Sequence, residues 1–144
     1  ALPIFDKILD LLRKHETLAT FFVVGELLET HPEILDKIIE NEHEIAFHTM
    51  YHDRIDSPDF KKKFSDELER FSQLTNKKSR GFRAPTFSLN QNSSWIIDSL
   101  SKSNYIYDSS IVPAKTDLYG MPNAEIKHIE YPVILLKKMI LMEN

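Results

Sequence analysis

Short apolar runs alternate with helical stripes along the chain, and this alternation restricts the fold more than any other feature. Leu18 to Val24 (LATFFVV) is continuous, partly β-branched and aromatic, and stops at Gly25. A strand buried on both faces reads this way. Before it, Ile4, Ile8, Leu11 and Leu12, with Phe5 and Leu9 beside them, recur at helical spacing behind Pro3, predicting a helix over 3–15. After it, Ile34, Leu35, Ile38 and Ile39 form a stripe with Pro32 near its start, predicting a second helix. Glu44 to Phe47 reads as a second strand and 48–57 as loop. Ser57-Pro58 opens a long helix marked by Phe60, Phe64, Leu68 and Phe71, ending near Leu74. A polar turn from Thr75 to Arg80 leads to a third strand, Gly81 to Ala84, closed by Pro85. Ser93 or Ser94 can cap a helix holding Trp95, Ile96, Ile97 and Leu100, and Tyr105 to Tyr107 is a fourth strand ending at Asp108. A loop through Pro113, Gly120 and Pro122 precedes a strand near His128 to Val133; the last eleven residues are apolar and basic without a period. Strands and helices alternating in this way imply the α/β class, a parallel sheet with helices outside. A length of 144 residues corresponds to a single domain, 1–144, or most of one.

Composition removes several function classes. A net charge of -4 argues against nucleic acid or an anionic membrane surface as partner. No apolar run reaches the ~18 residues that a membrane span needs. Cysteine is absent, so thiolate chemistry and disulfides are excluded, and three glycines leave no Gly-rich phosphate loop. The first residue is Ala1 rather than Met and no signal peptide is visible, so the expectation is a piece of a longer protein whose localisation cannot be read from this end.

Three of the four main strands deliver a strong polar group at or just past their C-terminal ends: His48 (followed by His52) from the second, Arg83 from the third and Asp108 from the fourth. Parallel α/β folds put their active sites at that edge. An Arg leaving a buried strand is costly without a partner, which predicts an anionic one. The His48-Thr-Met-Tyr-His52 spacing is weak by itself, since six histidines in 144 residues give about a one-in-four chance of some such pair. Two unrelated loop histidines and two converging metal ligands both remain open. It is not the H-E-x-x-H of a zinc protease, because position 49 is Thr. Two imidazoles suit Zn, Co, Ni or Fe, and a catalytic site would need a third protein ligand, with a carboxylate the natural choice. His31, before a proline at a helix start, reads as a capping or surface residue. His43 sits at the opposite edge of the second strand and reads as structural, while His15 and His128 have no motif around them. Trp95 reads as core, and Lys61 to Lys63 as a solvated helix face. Tyr51 fits a site mouth or loop packing equally well.

The ordered segments ATFFVVGELLETHPEILDKIIENEHEIAFHTMYH and GFRAPTFSLNQNSSWIIDSLSKSNYIYDSSIVP resemble the polysaccharide deacetylases of the NodB-homology type, carbohydrate esterase family 4. YDSSIVPAKTDLYGMP is similar to a subgroup associated with exopolysaccharide gene clusters. The resemblance runs from about residue 3 to 133. It implies a distorted (β/α) barrel, incomplete at both ends in this chain. It also implies a divalent metal, usually zinc, and hydrolysis of N-acetyl groups on the amino sugars of a carbohydrate polymer or oligomer. His48 and His52 match the family's metal-binding histidines. Arg83, in FRAP, matches the arginine that orients the catalytic base. Asp108 lies where the family often keeps a carboxylate that tunes the catalytic acid. The family's first motif, which supplies the base and third metal ligand, would precede the helix at 3–15, and the acid histidine would follow Val133. Glu42 and Asn104 stand where the family usually has Gly and are expected to be tolerated turn changes. A family relative acting on a small amide, and a non-catalytic carbohydrate-binding domain on the same scaffold, remain alternatives.

Overall fold

A computed structural model describes residues 2–124 and 131–132. The chain forms helix α1 (Leu2–Lys14), strand β1 (Thr20–Val23), helices α2 (Gly25–Thr30) and α3 (Glu33–Glu40), and strand β2 (Glu44–Phe47). Helix α4 (Phe60–Leu74), strand β3 (Gly81–Phe82), 3-10 turns at Pro85–Phe87 and Gln91–Ser93, helix α5 (Ile96–Lys102), and strands β4 (Tyr107–Asp108) and β5 (Tyr131–Pro132) follow. The sheet order is β1-β2-β3-β4-β5. The first four strands are parallel, and β5 pairs antiparallel with β4. The described strands thus make an open parallel-type α/β sheet, the class that the strand–helix alternation implies. The helix at 3–15, the strand at 44–47 and the helix ending at Leu74 fall where expected. Most of the strand expected at 128–133, His128 and the last eleven residues lie outside the described residues.

Two expectations are corrected. Gly25 does not only end β1; it also begins α2, a short helix that was not anticipated. The helix around Trp95 starts later, at Ile96, and neither Ser93 nor Ser94 caps it. The cap belongs instead to the preceding 3-10 turn, where the Asn90 side chain accepts from Asn92 N–H and Ser93 Oγ accepts from Asn90 N–H. Trp95 is partly buried against the core, its ring 5.5 Å from that of Phe64.

Four helices end in the same way, without a glycine. After α3, Glu42 N–H donates to Ile39 O and His43 N–H to Ile38 O, with Glu42 at φ 60°. After α5, Asn104 N–H donates to Ser101 O and Tyr105 N–H to Leu100 O, with Asn104 at φ 62°. Glu16 and Asn76 hold the same place after α1 and α4, at φ 49° and φ 50°. This is the Schellman cap, whose left-handed residue is normally Gly and sometimes Asn. Glu42 and Asn104, where the resemblance led to an expectation of Gly, therefore hold the left-handed geometry that Gly adopts most readily. Glu42→Gly is expected to raise stability by about 0.5–1 kcal/mol by removing a side chain from the left-handed region. Thermal unfolding would register this as a higher midpoint, and an unchanged or lower midpoint would contradict it.

The core lies between the sheet and the helix α4. The Phe47 ring is 4.5 Å from Phe71, 5.8 Å from Phe82 and 6.2 Å from Phe64. All four rings are fully buried, and each such burial is worth about 1.5–3 kcal/mol. On the sheet, the Glu44 carboxylate accepts from Thr20 Oγ1 at 2.6 Å and from Tyr107 Oη at 2.7 Å. Tyr107 must cross β3 to reach Glu44. It can do so because a Cβ at Gly81 would stand 2.1 Å from its ring, where glycine leaves room. Three strands are thereby tied together, which fixes the register on which the site depends.

Candidate active site

Register decides which side chains meet. Phe47 pairs with Phe82, and Phe82 with Asp108, so the next residue on each strand is His48, Arg83 and Ser109. His48 N–H donates to Val23 O, Arg83 N–H to Phe47 O and Ser109 N–H to Phe82 O, which carries the ladder to the C-terminal edge. His48, Arg83 and Ser109 form one polar row there. Asp108 stands one residue earlier and faces the interior, fully buried.

His48 Nδ1 donates to the Arg83 carbonyl oxygen at 2.6 Å. A carbonyl can only accept, so the bond fixes the proton on Nδ1 and leaves the Nε2 lone pair open, the arrangement that prepares an imidazole for a metal. Burial pushes the His48 pKa below the ordinary histidine value; the bond to the Arg83 carbonyl opposes this, and the charges of His52 and Arg83 add to it. The shift favours the neutral imidazole, the form in which histidine binds a metal.

The exposed His52 ring lies 5.0 Å from the His48 ring. The chain achieves this with two left-handed residues, Thr49 at φ 61° and His52 at φ 60°. For a β-branched residue such as Thr49 this is costly, and strain of this kind persists only where the surroundings impose it. Two N–H groups at the start of α2 impose it. Gly25 N–H donates to Thr49 O at 3.0 Å and Glu26 N–H to Met50 O at 2.9 Å. Helix α2 can come this close because a Cβ on Gly25 would lie 2.1 Å from Met50 Sδ. Among the described residues, no group of three or more His, Cys, Asp or Glu is arranged to hold a metal ion.

Arg83 does not meet the anionic partner that its position predicted: no carboxylate among the described residues lies within 4.0 Å of it. Its Nε donates to Ser109 O at 2.9 Å and an Nη to Ser109 Oγ at 2.5 Å. Its guanidinium stacks on Phe22 at 4.1 Å and reaches Phe87 at 5.8 Å. Neutral acceptors and aromatic faces hold the cation in place without cancelling its charge.

Asp108 accepts from Ser110 N–H at 2.8 Å and from Ser110 Oγ at 2.7 Å, and Ser110 Oγ in turn accepts from Ala84 N–H at 2.8 Å. Burial pushes its pKa up to about 7, against these two hydrogen bonds and the nearby Arg83 charge. Between the ordinary aspartate value and about 7, the folded chain keeps a proton that the unfolded chain has lost. This group therefore makes stability fall as pH rises across that window and adds no slope above it. Asp108→Asn is expected to flatten the slope. Urea unfolding at about pH 4.5 and about pH 7.5 should give a smaller stability difference in the variant than in the wild type. Equal differences would rule out Asp108 as the source.

The remaining candidates lie elsewhere. His43 is buried at the opposite edge, accepting from Ala19 N–H at 3.4 Å, with its ring 5.4 Å from Phe21. His31 is 3.2 Å from Glu33 at the start of α3. Tyr51 accepts from Arg70 at 3.0 Å on the surface. Lys62 is solvated and pairs with Asp59, whereas Lys63 pairs with Asp53 and Glu67. Sequence reasoning missed Ser109, Ser110 and Glu67. The two serines could be found only from the register, but Glu67 left a signal: it falls on the apolar stripe of α4, between Phe64 and Leu68.

A parallel α/β sheet with histidine and arginine converging at its C-terminal edge defines the class of protein. The polysaccharide deacetylase family model matches residues 3–104, and the chain belongs to that family. It is 39% identical over 51 residues to a chitooligosaccharide deacetylase of Sinorhizobium fredii, covering 35% of this chain and 24% of the relative. A Mycobacterium smegmatis protein of the polysaccharide deacetylase family has a similar structure, with a TM-score of 0.64, 26% identity and coverage of 74% of this chain and 37% of that one. A carbohydrate esterase family 4 pseudoenzyme from Bacillus anthracis is also similar, with a TM-score of 0.53, 26% identity and coverage of 65% of this chain and 34% of that one. The match spans about a quarter of the length of that curated relative. No helix among the described residues is long and apolar enough to cross a membrane.

Proposed function

We propose that the full-length protein removes N-acetyl groups from the amino sugars of a polysaccharide or oligosaccharide by metal-dependent amide hydrolysis. The observation that carries this reading is the bond from His48 Nδ1 to the Arg83 carbonyl, with the His52 ring 5.0 Å away at the strand edge. Family membership supports the substrate class, and the donor set supports zinc. His48 and His52 would hold the metal through their open ring nitrogens. When bound, the metal supplies Lewis acidity at the acetyl carbonyl.

The chain's own residues prepare that chemistry. The Arg83 carbonyl orients His48 and keeps its proton on Nδ1. The Arg83 guanidinium, fixed by Ser109 and Phe22 but still charged, would hold the carboxylate of a general base and keep it ionised. That base, a third ligand and the acid that protonates the leaving amine are assigned to residues outside this chain. Asp108 acts at one remove: through Ser110 it anchors the backbone at Ala84, next to Arg83, which makes it a positioning residue. The likeness to a pseudoenzyme keeps a second reading in play, a carbohydrate-binding domain without turnover. Acetate release from N-acetylglucosamine oligomers by the full-length protein separates the two.

A further inference from the structure

Helix α4 carries a glutamate that the proposed reaction does not use. Glu67 is 6% exposed, on the same face as Phe60, Phe64, Leu68 and Phe71. A carboxylate in such surroundings is costly unless it is bonded and paired. Its Oε2 accepts the backbone N–H of Met50 at 3.1 Å, and its Oε1 lies 3.3 Å from Lys63 Nζ. Lys63, one helical turn earlier, also donates to Asp53 Oδ2 at 2.5 Å.

Met50 lies between the two histidines, and Asp53 directly follows the second. The loop is held by backbone bonds from α2 to the carbonyls of Thr49 and Met50 and by these side-chain bonds from α4 to Met50 N–H and Asp53. Within it, Thr49 and His52 keep left-handed dihedrals that a free loop would relax. Of these restraints, Glu67 is the side chain that reaches the backbone between His48 and His52.

We infer that Glu67 is a positioning residue that sets the spacing of the His48 and His52 imidazoles, so that affinity for a divalent cation depends on its hydrogen bond to Met50 N–H. The inference rests on the metal reading proposed above. Partners that orient metal ligands contribute about 10–100-fold in affinity, and a restraint acting through the backbone belongs at the low end.

The test is zinc affinity of the metal-free full-length protein, measured by chelator competition with thermal unfolding alongside. Glu67→Leu is expected to weaken zinc binding about tenfold. Glu67→Gln, which keeps an acceptor for Met50 N–H, should stay within about threefold of wild type even if its melting point falls as far as that of the leucine variant. Should the leucine variant not fold, Glu67→Ala also lacks the acceptor and carries the same expectation. Wild-type affinity in the leucine or alanine variant, with zinc lost in His48→Ala, overturns the role of Glu67 alone. Equal weakening by Gln and Leu overturns the hydrogen-bond basis. A wild-type protein that binds no zinc overturns both this inference and the metal reading.

Discussion

His48→Ala and His52→Ala are each expected to remove the zinc that full-length wild-type protein binds, about one ion per chain. The two substitutions should have different side effects. His48 is half-buried and its Nδ1–H is bonded to the Arg83 carbonyl, so its loss also frees the end of β3. Truncation there should lower stability by about 1–3 kcal/mol, because a carbonyl loses its donor. His52 is exposed, with no hydrogen bond within the described residues to lose, and sits at φ 60°. Its replacement should remove metal with a change in stability of less than about 1 kcal/mol. Metal content after dialysis, set beside unfolding midpoints, reads both effects. Unchanged zinc stoichiometry in the two variants would sink the ligand assignment.

Arg83→Ala is expected to lower kcat on N-acetylglucosamine oligomers by about a hundredfold or more while leaving zinc in place. The guanidinium is stacked on Phe22 and doubly bonded to Ser109, so it is already oriented before any carboxylate arrives. Its backbone, which holds His48, is unaffected by truncation of the side chain, and this is why metal should be retained. Lysine should not rescue the activity. It keeps the charge but lacks the planar fork that bonds Ser109 while lying flat on a ring. Near-wild-type turnover in Arg83→Ala would remove Arg83 from the mechanism, and loss of zinc would show that its effect runs through His48.

Much of the scaffold was legible because its periodicities are strong. The run ending at Val24 and the segment from Glu44 to Phe47 read as strands and are strands. The stripe from Phe60 to Phe71 read as a helix and is one. Helix α2 was hidden, because a glycine after an apolar run reads as a stop, whereas Gly25 is required for close approach to Met50. The polar row was half visible. Strand ends pointed to His48 and Arg83, but only the pairing of Phe82 with Asp108 reveals that Ser109 completes the row and that Asp108 turns inward. Among the described residues Arg83 is held by the Phe22 ring and the Ser109 hydroxyl rather than by a carboxylate, contacts that sequence reasoning overlooked because it counted charges alone.

The most direct measurement is acetate release from N-acetylglucosamine oligomers by the zinc-loaded full-length protein, compared with its His48→Ala and Arg83→Ala variants. Release by the wild type, abolished together with zinc binding in the first variant and cut about a hundredfold or more with zinc retained in the second, is the predicted result. A zinc-loaded wild-type protein that releases no acetate from any such oligomer, or a His48→Ala variant that releases it at the wild-type rate, would contradict a metal-dependent deacetylase built on this strand edge.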